Sequence, residues 1–181
     1  MNFLFDLAKA HEKHEGYYPP GTPGFPKGSL SFRNMNPGNL RLTKYQQRVY
    51  SAIRGEGNFA KFPSYEIGLK ALMDDLKAKI MGNSAHINYS SSPTFLTYVS
   101  VYAPSRDHND PVSYAKSLIT LLPQYHLRLD MPLTEMGKLL VEHDGTKFDV
   151  SRLLQRFLSR AKGMRLRRLS AYQRPKKQRV S

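Results

Sequence analysis

Apolar positions at helical spacing organise most of this chain. Leu4, Ala8 and His11 fall on one face, and Glu15 continues that face to the point where Gly16 stops a helix predicted over residues 2–14. Residues 17–31 are punctuated by proline and glycine and read as a loop. Its Tyr17, Tyr18 and Phe25 are expected either to anchor the loop by packing or to present faces that stack on sugar rings. Alternation through Leu40, Leu42, Tyr45, Phe59 and Phe62 then predicts a small antiparallel hairpin from residues 40–50 and 57–62.

Helical periodicity returns at Ser64, which reads as an N-cap, with Glu66 complementing the helix dipole. Leu69, Leu72, Leu76 and Ile80 form one buried stripe that ends before Gly82. A second helix is predicted to start near Ser92-Pro93 and to carry Phe95, Leu96, Val99 and Tyr102. Asp110 and Pro111 cap a third, and Pro132 precedes a last one over residues 133–143, built on Leu133, Met136, Leu139 and Leu140. The fold class expected is α+β, mostly α: a helical domain over residues 1–148 with a small β-hairpin, then a basic tail over residues 149–181.

The tail changes the reading of the charge. The chain carries +14, but residues 151–181 hold eight Arg and three Lys with no acid, which leaves +3 to residues 1–150. Any argument from charge to a polyanion therefore concerns the tail. Val150, Leu153, Leu154, Phe157, Leu158 and Ala161 fall on one helical face and Arg152, Arg156 and Arg160 on the other, a basic amphipathic helix. The segment from Met164 onward is too charged to bury and is expected to be disordered alone. Packing on the domain or another subunit, holding DNA or an anionic envelope surface, and acting at a membrane interface are its competing uses.

A chain of 181 residues without cysteine has no disulfide, thiol nucleophile or thiolate metal site, and is long enough for one core to suffice. Its N-terminus lacks the basic flank and apolar run of a secretory signal, and no stretch approaches the roughly 18 apolar residues of a transmembrane helix. Asp107, His108 and Asp110 are too few for a metal site, with Asp110 already expected as a cap, so neither metal nor other cofactor is expected.

The candidate chemistry is a carboxyl facing an amide-rich turn. Desolvation disfavours the charged form of a half-buried acid, a property useful to a general acid near neutrality, although Glu-Gly is also an ordinary helix end. Asn36-Pro-Gly-Asn39 is strong turn chemistry, and Arg33, Asn34 and Arg41 flank it with more guanidinium and amide groups than a turn needs.

Helix-Glu15-Gly16, FRNMNPGNLR, FAKFPSYEIGLKAL, YAPSRDHNDPVSYAKSL and a helix ending VEHDG follow one another over residues 1 to about 145. This order resembles the lysozyme-like peptidoglycan lytic transglycosylases of bacteriophages and prophages. The resemblance implies a lysozyme-like domain that cleaves the β-1,4 bond after N-acetylmuramic acid with one carboxylate and no cofactor. It also implies a virion location, with action in the host periplasm and cell wall. Mapped by motif, Glu15 is acid and then base, and Asn36, Asn39 and Arg41 form the nearest polar wall. Tyr102, Asn109 and Tyr114 are the substrate-side residues of the opposing loop and helix, although Tyr114 reads equally as a core aromatic. Glycan strands are the partner implied, with virion proteins as further partners. Asp107 or Asp110 activating water would make the reaction hydrolytic instead. The rival from another class is a non-enzymatic virion protein that keeps the scaffold and uses its tail to hold nucleic acid or envelope.

Overall fold

Helix α1 (Phe3–His14) forms where the spacing predicts it, with Asn2 as N-cap accepting from the Phe5 amide. Glu15 is the C-cap; beyond it Gly16 takes φ +66°, its N–H donating to Lys13 O while Tyr17 N–H donates to Glu12 O. This paired closure needs a left-handed residue, which glycine adopts without strain. Phe3, Leu7, Ala8 and His11 are fully buried. The helix stands at the centre of the packing, against α4 (Tyr65–Ile80), α6 (Pro111–Leu121) and α7 (Leu133–Asp144).

The computed structural model describes residues 2–144, in which seven α-helices and one two-stranded sheet surround a shared apolar core. The amphipathic helix and charged segment expected over residues 149–181 lie outside the described residues. Within the described residues no helix is long and apolar enough to cross a membrane.

The sheet is smaller than predicted. Strands β1 (Ile53–Arg54) and β2 (Ala60–Lys61) pair antiparallel, Ile53 opposite Lys61, and only Arg41, bridged to Phe59, extends that pairing into the earlier segment. Residues 44–50, expected as strand, are instead helix α3 (Lys44–Tyr50). Thr43 and Gln46 form a reciprocal capping box, and burial falls on Gln46 and Tyr50, four apart, while Tyr45 is exposed. A short apolar run fits both periods, and the cap decides.

The remaining helices follow the pattern closely. In α4, capped by Ser64, Leu72, Leu76 and Ile80 are fully buried, and truncating one to Ala costs about 2–5 kcal/mol in a packed core. Helix α5 (Phe95–Tyr102) begins two residues later than expected, because Thr94 and Thr97 form the capping box and Pro93 stays outside. Asp110 caps α6 with Pro111 in its first turn, as predicted.

The turn after the short helix α2 (Leu30–Arg33) sits directly on α4. A Cβ at Gly68 would stand 1.9 Å from Met35 O, and one at Gly38 would stand 2.5 Å from Leu72 Cδ1. Backbone therefore touches helix at Gly68 with no room for a methyl group, and flexible side-chain movement cannot relieve the clash. Gly68→Ala is expected to destabilise the protein by about 1–3 kcal/mol through overpacking, read as a lowered denaturation midpoint. An unchanged midpoint would mean that the turn does not rest there.

Candidate active site

The Glu15 carboxyl leaves the end of α1 half-buried and meets two neutral donors from distant segments. Asn39 Nδ2 donates to Oε2 at 2.9 Å and Tyr114 Oη donates to Oε1 at 2.7 Å. Each donor fills one carboxyl oxygen, so the pair orients the carboxyl without bringing a charge to it.

The turn that delivers Asn39 is clamped on every side. Asn36 is fully buried, with Nδ2 donating to Leu40 O at 2.9 Å and Ala60 O at 2.8 Å while Oδ1 accepts from Leu40 N at 2.9 Å. Both its donor hydrogens are engaged, which corrects the expectation that Asn36 contacts substrate: it ties the turn to β2. Asn34 does the same for the bend between the strands, exchanging bonds with Glu56 N and O at 3.0 and 3.1 Å. Arg33 pairs with Glu56 at 2.7 Å and donates to Gly28 O at 2.6 Å, so it braces the loop. Tyr102 Oη donates to Gly38 O at 2.6 Å, and Ser31 Oγ ties the same segment to Gly16 O at 3.1 Å.

Asn39 carries φ +46°, a left-handed conformation that asparagine tolerates better than most residues. Its Oδ1 is the one buried side-chain polar atom without a partner among the described residues. An unpaired buried acceptor costs about 1–3 kcal/mol, so the turn stores free energy next to the carboxyl.

A cleft of about 580 Å³ opens in front of Glu15, between the turn and the α5 end. Arg41, Lys79 and Arg106 line it together with the carboxylates of Glu15, Asp75 and Asp107, so its formal charges balance. Arg41 covers the Phe59 ring at 4.8 Å and pairs with Asp107 across the mouth at 3.5 Å. Asn109 lines the same rim, exposed, with Nδ2 turned to Pro104 O at 3.4 Å. The lining carboxylates besides Glu15 are Asp75, paired with Lys79, and Asp107. Asp110 is committed to capping α6, accepting from Val112 N, Ser113 N and Ser113 Oγ, which removes it as a water activator.

The aromatic residues of the 17–31 loop do not line this cleft. Tyr17 packs inward between Phe32 and Tyr65, with ring centroids at 5.3 and 5.2 Å, while Tyr18 and Phe25 cover one another at 4.9 Å. Anchoring, the structural alternative, describes Tyr17.

Tyr114 is packed as a core aromatic and does not line the cleft. It is 4 % exposed among core residues, yet its hydroxyl reaches Glu15. Burial, then the neighbouring Tyr102 and the Glu15 charge, hold its pKa well above the ordinary tyrosine value, so it remains an O–H donor. Behind it lies His11, one turn before Glu15 on α1 and fully buried, with Nδ1 2.8 Å from Tyr114 Oη and Nε2 2.6 Å from Tyr98 Oη. Helical spacing placed His11 on the inward face, but its chemistry depends on α5 and α6, which no local pattern brings to it.

Comparison with protein-family models, with characterised proteins and with solved structures returned no match.

The buried imidazole makes stability depend on pH. Tyr98 and Tyr102 of α5, Tyr114 of α6, Lys79 of α4 and His14 of its own helix face His11, and burial, reinforced by the Lys79 and His14 charges, lowers its pKa well below 6.5. The unfolded chain binds a proton near 6.5 that the folded chain refuses, so this contribution is complete above 6.5 and lost as pH falls below it. The denaturation midpoint is expected to fall between pH 7 and pH 5, and to fall less in His11→Gln. Equal pH dependence in the two proteins would show that His11 is not buried neutral.

Proposed function

We propose that this chain is a lysozyme-like, peptidoglycan-degrading enzyme of a bacteriophage, which cleaves the bond between N-acetylmuramic acid and N-acetylglucosamine by lytic transglycosylation. The observation that carries the reading is the Glu15 carboxyl, oriented by Asn39 and Tyr114 at the wall of a cleft large enough for sugar rings. A carboxyl held by neutral donors is competent first to release and then to recover a proton.

The protonated Glu15 gives its proton to the glycosidic oxygen. The C1–O bond breaks and its electron pair leaves with the N-acetylglucosamine oxygen. The substrate's acetamido oxygen covers the electron-deficient C1, and the Glu15 carboxylate takes the proton of the C6 hydroxyl. The O6–C1 bond then forms, leaving a 1,6-anhydro end and restoring the acid. One carboxylate suffices, and the engagement of Asp75 with Lys79 and of Asp110 in the α6 cap supports this course over hydrolysis with a second carboxylate. Arg106, and Arg41 with its exposed and readily exchanged partner Asp107, suit the carboxylates of the cell-wall polymer. The basic C-terminal segment supports a virion location, with the enzyme opening the wall locally as the genome is delivered.

Glu15→Gln is expected to lose about 10²–10⁴-fold in clearing of purified peptidoglycan while folding normally, since proton transfer of this kind contributes that much. The released fragments of the wild-type reaction are expected to end in anhydro sugars by mass spectrometry. Reducing ends would replace transglycosylation by hydrolysis, equal clearing by both proteins would remove Glu15, and no clearing by either would favour a non-enzymatic virion scaffold.

A further inference from the structure

Four groups in series connect the core to the candidate active site: Tyr98 Oη, the His11 ring, Tyr114 Oη and the Glu15 carboxyl, at successive separations of 2.6, 2.8 and 2.7 Å. With Glu15 ionised, counting protons fixes the direction of every bond. Tyr114 has one hydroxyl hydrogen, and an ionised Oε1 can only accept it. Tyr114 Oη is therefore the acceptor toward His11, so Nδ1 carries the ring proton. The ring is neutral, because it is wholly buried with its pKa well below the ordinary histidine value, and that leaves Nε2 bare. Tyr98 supplies the hydrogen that Nε2 needs.

The opposite order is possible only with Glu15 protonated. The carboxyl hydrogen would turn inward onto Tyr114, Tyr114 would donate to Nδ1 and Nε2–H to Tyr98. Tyr98 would then hold a hydroxyl hydrogen with no acceptor, since among the described residues its hydroxyl bonds to His11 alone. A buried unmade bond of this kind costs about 1–3 kcal/mol. Burial keeps Tyr98 itself protonated, with its pKa well above the tyrosine norm, so it does not escape by ionising. The chain runs one way.

We propose that His11 is a positioning residue: together with Tyr98 it forms a one-way hydrogen-bond relay that keeps Tyr114 donating to Glu15 and so leaves the transferable proton of Glu15 on the cleft side. The catalytic purpose of the relay rests on the enzyme reading above; its direction does not. No proton travels along the chain during turnover. Its role is to exclude the arrangement in which the acid points its proton away from the substrate. Tyr102, whose ring lies 4.4 Å from that of His11, donates its own hydroxyl hydrogen to Gly38 O.

The test combines a spectrum and a rate. In the full-length wild-type protein, nitrogen-resolved NMR of the His11 ring, identified by its absence from His11→Gln, is expected to show a neutral Nδ1–H tautomer that persists through the acid limb of the activity profile. An Nε2–H tautomer or an imidazolium near pH 7 would overturn the relay without any variant. Tyr98→Phe keeps the volume and removes the hydroxyl that enforces direction. It is expected to lower kcat about 5- to 10-fold with KM unchanged, and to let the Nε2–H tautomer grow where Glu15 is protonated, on the scale of one hydrogen bond. Wild-type kcat with the Nδ1–H form alone would overturn the relay. A wild type that leaves peptidoglycan intact but shows Nδ1–H removes the enzyme reading and with it the catalytic purpose, whereas an active wild type with Nε2–H removes the relay alone.

Discussion

One half-buried carboxyl held between two neutral donors is the interaction on which this structure converges. Asn39 and Tyr114 lie 24 and 99 residues from Glu15 along the chain, so their bonds to it close the turn and α6 onto the end of α1. Polar oxygens taken out of water without hydrogen bonds are costly, and a cation in contact would add a charge to the site. Neutral donors occupy the ground between: they satisfy both oxygens and bring no charge of their own. The arrangement needs an amide that cannot drift and a hydroxyl that cannot turn.

Each need is met by structure at some cost. The turn is fixed by backbone contact with Gly68, by the Asn36 amide and by the Tyr102 hydroxyl, and it tolerates an unpaired Asn39 Oδ1 and a left-handed Asn39 as a consequence. Strain of this kind, about 1–3 kcal/mol for each feature, persists only where surrounding contacts over-determine the geometry. The apolar core provides that, because α1, α4, α5, α6 and α7 bury the residues from which these polar groups project. The hydroxyl is fixed from behind by an imidazole whose own orientation is set by Tyr98.

Much of this was legible in the chain, and the failures are instructive. Caps marked α1, α4 and α6 because their signals are local: Ser64, Asp110 and the Glu15-Gly16 stop act within one turn. Helix α3 was missed because a seven-residue apolar pattern supports either period, and Thr43 with Gln46 was not read as a capping box. The amide-rich stretch was legible as a turn facing Glu15 but not residue by residue: Asn34 and Asn36 bond backbone, and only Asn39 reaches the carboxyl. Which amide faces which way depends on β2 and on the bend before it, contacts more than twenty positions away. His11 looked like a buried face residue, and its two tyrosine partners are 87 and 103 positions distant.

The mouth of the cleft obeys a different balance from its floor. Arg41 and Asp107 meet across it at 3.5 Å with side chains 56 % and 39 % exposed. Pairs so exposed are worth about 0–1 kcal/mol, near thermal energy, so this contact does not lock the two sides together. Arg41 keeps its place without Asp107, since its guanidinium also lies over Phe59. An anionic group arriving in the cleft can therefore replace Asp107 as its partner at little cost, while the carboxyl on the floor stays held by bonds shielded from water. Rigidity at the buried carboxyl and exchangeable charge at the exposed mouth follow from burial alone, because the same hydrogen-bonding and ionic groups gain strength as water is excluded.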